Sequence, residues 1–239
     1  MTVLTPVEAR RVARVAGFSY LVIFVLAIYA NMFAIGGLVV KGDPASTMAN
    51  VIENLGTFRL GVAAFIIVLI ADVVISWALY EILKPAGVRL SLLTAMFRLI
   101  YTAMFAAVAL NFVDVLEILE AGPALSPTDA QAGVYLALRS YGAGFAVSLI
   151  FFAVHLVLLG VLLIRARYLP TPIGILIILA GVGYAVDGFG TLLFETYGPL
   201  ANVITMIVIL PALIGEGALC LWLLLRGLNV SVWPEEPSR

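Results

Sequence analysis

Long apolar stretches alternate with short polar or proline- and glycine-rich connections along the chain, at residues 15–40, 58–83, 90–118, 131–164, 171–194 and 200–225. Each is long enough to cross a bilayer as a helix, which takes about 20 residues at about 1.5 Å per residue. The first stretch follows Glu8, Arg10, Arg11 and Arg14, a charged flank that resembles the start of a signal peptide. A signal core runs only about 7–15 residues, so this longer run predicts a retained span.

The connections carry stop and start chemistry. Lys84-Pro85-Ala86-Gly87, Gly122-Pro123, Ser126-Pro127, Pro170-Thr171-Pro172 and Gly198-Pro199 separate the apolar runs. Ser126 and Asp43 are each followed by a proline that suits the first turn of a helix. After Asp43, the positions Met48, Val51, Ile52 and Leu55 share one helical face and predict a short amphipathic surface helix ending near Gly56. The fold class expected is all-α: a polytopic bundle of six transmembrane helices with this surface helix between the first two. The domain plan is a cytoplasmic segment 1–14, a transmembrane domain 15–226 and a cytoplasmic tail 227–239.

Orientation follows from the basic residues, since short positively charged flanks stay in the cytoplasm. Arg10, Arg11, Arg14, Lys84, Arg89, Arg165, Arg167, Arg226 and Arg239 flank one side, against Lys41 alone on the other. The expected location is the cell membrane, multi-pass, with both termini cytoplasmic.

Composition agrees. Of 239 residues, 64% are hydrophobic and 11% charged, with mean hydropathy +1.17, far from the roughly one-quarter charged of soluble domains. Net charge −1 with no basic stripe argues against nucleic acid as a partner. The partners expected are the lipid bilayer and an unidentified small solute, with a second copy or another membrane protein left open. The single cysteine, Cys220, rules out an internal disulfide and reads as a small core residue.

Against this apolar background, four polar residues count about ten positions in from the basic side, near the middle of a roughly 30 Å hydrocarbon core. They are Asp72, Arg98, His155 and Glu216, from four different spans. Each charge there costs about 2.5–3.5 kcal/mol on insertion scales, so the four are expected to face inward and meet. With a neutral histidine the set keeps one negative charge unless a carboxyl takes a proton, which makes it a candidate proton- or cation-binding site. Tyr141, Ser148 and His155 recur every seventh residue on one stripe, adding Tyr141 and Ser148 to the candidate binding set. Asn202 and Thr205 share a face with Glu216.

An outer polar layer holds Arg59, Asp114, Arg139, Tyr184 and Asp187. Its simplest pairings join Arg59 or Arg139 to Asp114 or Asp187. The layer reads as interfacial pairing and snorkelling or as an outer vestibule.

Catalytic residues are not assignable: no HExxH, nucleophile elbow, Walker A loop, GxGxxG fingerprint or CxxC pair occurs. No cofactor is expected. A divalent metal stays open, because His155, Asp72 and Glu216 offer one nitrogen and two carboxylates.

The stretches ARVAGFSY from Ala13, FRLGVAA from Phe58, RSYG from Arg139, FFAVHLVLLG from Phe151, GILIILAGVGYAVD from Gly174 and LIGEGALCLWLLLRG from Leu213 carry a resemblance. From about Ala13 to Gly227 the chain resembles a bacterial family of six-helix membrane proteins, domain of unknown function 4386. The resemblance implies an all-helical integral membrane protein. It singles out Arg59, Arg98, Arg139, His155, Tyr184, Asp187 and Glu216, and it implies no activity. The last dozen residues fall outside it and read as a loose tail.

Three functions compete. In a proton-coupled transporter or permease, His155 and Glu216 bind a proton or cation while Arg98 or Arg139 recognises an anionic group. The others are a membrane-embedded enzyme, metal-dependent in one version, and a non-catalytic membrane subunit.

Overall fold

Helix starts in the computed structural model, which describes residues 4–193 and 211–233, follow local capping chemistry. Thr5 and Glu8 form a capping box: the Thr5 N–H donates to Glu8 Oε2 at 2.9 Å, and the Glu8 N–H donates to Thr5 Oγ1 at 3.3 Å. Helix α1 (Pro6–Ile28) therefore begins well before its apolar run, then widens into a π-helical segment, Tyr29–Ile35. Asp43 caps α2 (Pro44–Glu53) as the sequence predicts, accepting from Ser46 Oγ at 2.6 Å and Ser46 N at 2.9 Å. These Ser46 donors hold the Asp43 carboxyl below its ordinary pKa. Ser126 likewise accepts from the Asp129 N–H at 3.2 Å and opens α5 behind Pro127.

The remaining helices are α3 (Leu55–Leu83), α4 (Val88–Ala121), α5 (Pro127–Arg165), α6 (Thr171–Leu193) and α7, residues 211–221, which continues into the π-helical turn Trp222–Arg226. No strand occurs among the described residues. Among the described residues, five helices are long and apolar enough to cross a membrane: Pro6–Ile35, Leu55–Ala86, Val88–Ala124, Pro127–Arg165 and Thr171–Leu193. They correspond to the first five apolar stretches. The sixth, 200–225, lies partly outside the described residues.

The helices are apolar where they are exposed. Ile66, Ile70, Val73 and Trp77 form an exposed stripe on α3, and Ile175, Leu179, Val182, Val186 and Phe189 form one on α6, while Asp72, Ser76, Arg98 and His155 are buried. A water-soluble helix has the opposite arrangement. With each of these five spans helical, their backbone polar groups are satisfied internally, as lipid requires. This is a multi-pass membrane protein.

The chain divides into two compact units, to both of which α3, α4 and α5 contribute. One comprises Met1–Leu21, Ala71–Thr102 and Ala146–Arg239. Within it α3 and α4 pair antiparallel through Ser76 Oγ donating to the Ala95 carbonyl at 3.1 Å and Ser91 Oγ to the Tyr80 carbonyl at 3.0 Å. Helices α5 and α6 pack backbone against backbone, so that a Cβ on Gly160 would lie 2.5 Å from the Gly174 carbonyl oxygen. Leu228 and Trp233 close the unit. Both are buried, and Trp233 Nε1 donates to the Leu4 carbonyl at 2.9 Å. The Trp233 ring packs 4.8 Å from Tyr168, whose hydroxyl donates to the Ile82 carbonyl at 2.7 Å. Burial pushes the Tyr168 pKa up, keeping that donor in place. Residues 228–233 are thus packed rather than a loose tail, because an indole N–H has a carbonyl to reach and an apolar ring to cover.

The other unit comprises Val22–Ile70 and Ala103–Phe145. Its core is aromatic: Phe65 stacks on Phe112 at 5.7 Å and meets Phe105 edge-on at 5.3 Å, and Tyr141 lies 4.3 Å from Phe112. Helix α2 buries Thr47 and Val51, while Asn50 Nδ2 donates to the Leu38 carbonyl at 3.2 Å. Ile52, assigned to its apolar face, is exposed.

Candidate functional site

The polar centre is built by helical spacing. Thr94 and Arg98 lie four residues apart on one face of α4, Asp72 lies opposite on α3, and His155 comes from α5. All are buried, with exposures of 2% for Asp72 and 1% for Arg98 and His155. Arg98 Nε donates to Asp72 Oδ1 at 3.0 Å, and Nη2 donates to the same oxygen. The third contact runs from Arg98 Nη1 to His155 Nε2 at 3.2 Å.

Donor arithmetic then assigns the histidine. A guanidinium has no acceptor, so Nε2 must accept, and Nδ1 carries the ring proton, donated to the Thr94 carbonyl at 2.9 Å. Arg98 thus donates both ways, to the Asp72 carboxylate and to the neutral imidazole, and the net charge of the three side chains is zero. Aromatic faces enclose it. The Arg98 guanidinium lies 5.4 Å from the Tyr20 ring and 5.4 Å from the Phe152 ring. Phe152 also packs against His155 at 5.6 Å and Tyr101 at 4.7 Å.

Glu216 is buried in the same unit at 9% exposure, within electrostatic range of Arg98 and Asp72. Among the described residues it has neither a hydrogen bond nor an ion pair to them. Tyr184, assigned to the outer layer, belongs to this centre: it meets Phe152 edge-on at 5.8 Å and lies within electrostatic range of Glu216.

The structure therefore joins Asp72, Arg98 and His155 directly and leaves Glu216 beside them. Ser148 is fully buried in the same unit, whereas Tyr141 stands in the aromatic core of the other, its buried hydroxyl without a hydrogen-bond partner among the described residues. Asn202 and Thr205 lie outside the described residues. Asp187 lies in the unit of the polar centre.

Two outer pairings differ from the simplest expectation. Arg59 pairs with Glu120 at 3.3 Å rather than with Asp114, and both partners are exposed. The antiparallel register that sets Phe58 against Phe112 at 5.9 Å carries the long arginine to the last turn of α4, past the exposed Asp114 earlier on that helix. Arg139 is exposed and donates to the Tyr135 hydroxyl at 3.3 Å.

As a metal site, His155, Asp72 and Glu216 do not fit. Both ring nitrogens of His155 are engaged, two guanidinium nitrogens engage Asp72, and among the described residues no three His, Cys, Asp or Glu side chains gather to hold an ion. The sequence reading missed Tyr20, Phe152 and Thr94. Phe152 stands three residues before His155 and Thr94 four before Arg98, a spacing that places each beside a known member. Tyr20 carries no such signal, because its partner is on another helix.

An uncharacterized protein of Archaeoglobus fulgidus is 26% identical over 178 residues, covering 74% of this chain and 90% of that protein. No solved structure matches the chain. The profile described as domain of unknown function DUF4386 matches residues 15–227, and the protein belongs to that family.

Proposed function

We propose that this protein is a proton-coupled carrier of a small solute in the cell membrane, with six crossings and both termini in the cytoplasm. The observation that carries the reading is Glu216: a buried carboxyl without a hydrogen-bond partner among the described residues, beside an Arg98 whose charge Asp72 already balances. A carboxyl so placed either takes a proton or competes with Asp72 for Arg98, which couples protonation to the contact holding α3 and α4 together. Arg98 is enclosed, so recognition of an anionic group falls to the exposed Arg139.

Proteoliposomes enclosing a pH-sensitive dye and challenged with a panel of small monocarboxylates test this. The wild-type protein is expected to acidify the lumen with at least one, and Glu216→Gln to cut the rate by more than tenfold. No response across the panel, or an undiminished response in Glu216→Gln, rejects the proposal.

Six crossings are supported by the juxtaposition of the two ends, Trp233 Nε1 on the Leu4 carbonyl, which an odd number of crossings does not allow. The cytoplasmic assignment rests on the nine basic flanking residues named above.

A second reading, a non-catalytic membrane subunit, is favoured by the saturation of Arg98 itself: a guanidinium enclosed by Asp72, His155 and two rings is a good interhelical pin. Co-purification of a stoichiometric membrane partner, with no carboxylate-driven acidification, would favour it.

A further inference from the structure

Helices α1 and α7 approach each other backbone to backbone. A Cβ on Gly17 would lie 2.7 Å from the Leu224 nitrogen, and Cys220 Sγ donates to the Gly17 carbonyl at 3.4 Å. The missing side chain at Gly17 is what lets the two helices touch. Leu4 meets Trp233 beyond that contact, so the two helices run antiparallel there. Arg14, one turn before Gly17, and Arg226, two residues after Leu224, therefore lie to the same side of it, toward Leu4 and Trp233. Both are exposed, as is Arg10, which shares a face with Arg14 at a spacing of four residues.

These arginines have no countercharge among the described residues, where the ion pairs are Arg59–Glu120, Lys84–Glu81 and Arg98–Asp72. Glu8 of α1 lies about 120° round the helix from Arg14. It is committed to the helix start, its Oε2 accepting from Thr5 Oγ1 at 2.8 Å. Gathered guanidinium groups without an acid attract an anion, and their paired N–H donors match the oxygens of a phosphate.

The surface on the membrane side of the arginines selects the kind of anion. Phe18 and Leu21 follow Arg14 at i+4 and i+7 on the same face of α1, and both are exposed. Leu221 and Leu225 are exposed on α7. From Arg14 to Leu21 the apolar track runs about 10 Å, within the roughly 15 Å half-thickness of a hydrocarbon core. A free phosphate would engage the arginines alone, whereas a phospholipid engages both the arginines and the track.

We infer that the adjoining ends of α1 and α7 bind an anionic phospholipid. Its phosphate lies against Arg10, Arg14 and Arg226, and an acyl chain runs along Phe18 and Leu21. The lipid belongs to the leaflet beside Leu4 and Trp233, the cytoplasmic one in the orientation proposed above. Its phosphate offsets the repulsion between Arg14 and Arg226 and so ties the two helix ends together. The inference does not rest on the carrier reading.

Purified protein in a neutral detergent, titrated with dioleoyl phosphatidylglycerol and read by native mass spectrometry, tests this. Arg14→Gln/Arg226→Gln is expected to weaken the first bound lipid about twentyfold, the scale of two arginine contacts with an anionic lipid surface. Arg89→Gln/Arg165→Gln removes the same charge from two other exposed arginines and is expected to weaken it by less than about threefold. Equal losses in the two variants would mean diffuse attraction and overturn the site. Glycerophosphoglycerol, the same headgroup without chains, is expected not to compete, and competition at equal concentration would overturn the lipid as occupant in favour of a free phosphate. A second readout needs no variant. Phosphatidylglycerol is expected to raise the unfolding midpoint of the wild-type protein with concentration, as a ligand of the folded state does, and an equal rise with phosphatidylcholine would overturn the preference for an anion.

Discussion

Arg98 is the residue on which the polar centre depends, since a guanidinium at 1% exposure is tolerable only while its charge is met. Asp72→Asn removes the countercharge but keeps the shape, and is expected to cost about 3–5 kcal/mol of stability, as losing one partner of a buried pair does. An ordinary polar contact between membrane helices averages only about 0.6 kcal/mol, so steric-trapping unfolding in bicelles separates the two cases. If Asp72→Asn costs no more than that average, Arg98 is not locked by Asp72. The double variant Asp72→Leu/Arg98→Met is expected to recover most of the loss, because apolar replacement of a whole buried pair is close to neutral. The depth count along the sequence could place Asp72, Arg98 and His155 together because lipid penalises any lone charge at mid-membrane, which forces such residues toward one another. It could not order the contacts. The choice of Arg98 rather than Glu216 as the group facing His155, and the enclosure by Tyr20 and Phe152, depend on the relative rotation of four helices, which residue spacing within any one of them does not fix.

Helix extent was legible from apolar length and capping residues, with errors where polar residues continue a helix. Thr5 and Glu8 start α1 ahead of its apolar run by satisfying its free N–H groups, and α5 runs from Pro127 to Arg165, about 58 Å at 1.5 Å per residue, beyond a roughly 30 Å core. Helix pairing was less legible, because it turns on where backbones can approach. Gly160 and Gly142 both lie in α5, yet a Cβ on Gly160 would meet the Gly174 carbonyl oxygen at 2.5 Å, while one on Gly142 meets nothing within 4 Å. Gly160→Ala is therefore expected to destabilise by about 1–3 kcal/mol through overpacking. Gly142→Ala is expected to stabilise by up to about 1 kcal/mol, the helix-propensity difference alone. Thermal unfolding of the two variants in the same detergent measures both, and equal effects would mean that α5 and α6 do not meet at Gly160.

At the scale of the molecule, the contacts between Leu4 and Trp233 bear on the proposed topology. Leu4 and Trp233 share a hydrogen bond, Asn229 N donates to the Tyr168 carbonyl at 3.2 Å, and Cys220 Sγ lies 3.4 Å from the Gly17 carbonyl oxygen. Residues 211–226 therefore run back beside α1 and antiparallel to α6, against which Gly215 faces Leu176. Five crossings would leave the termini on opposite faces of a bilayer, so this closure supports the six crossings proposed above. The expectation is that cysteines at Thr5 and Ser231, each in a Cys220→Ser background, react with a membrane-impermeant maleimide in inverted vesicles and not in intact cells. Lys41→Cys, in the connection after the first span, is expected to show the reverse. Reaction of Thr5→Cys and Ser231→Cys from opposite sides would break the six-crossing arrangement. Reaction of both from outside would keep the parity and invert the orientation, placing the arginine-rich flanks against the rule that holds such residues in the cytoplasm.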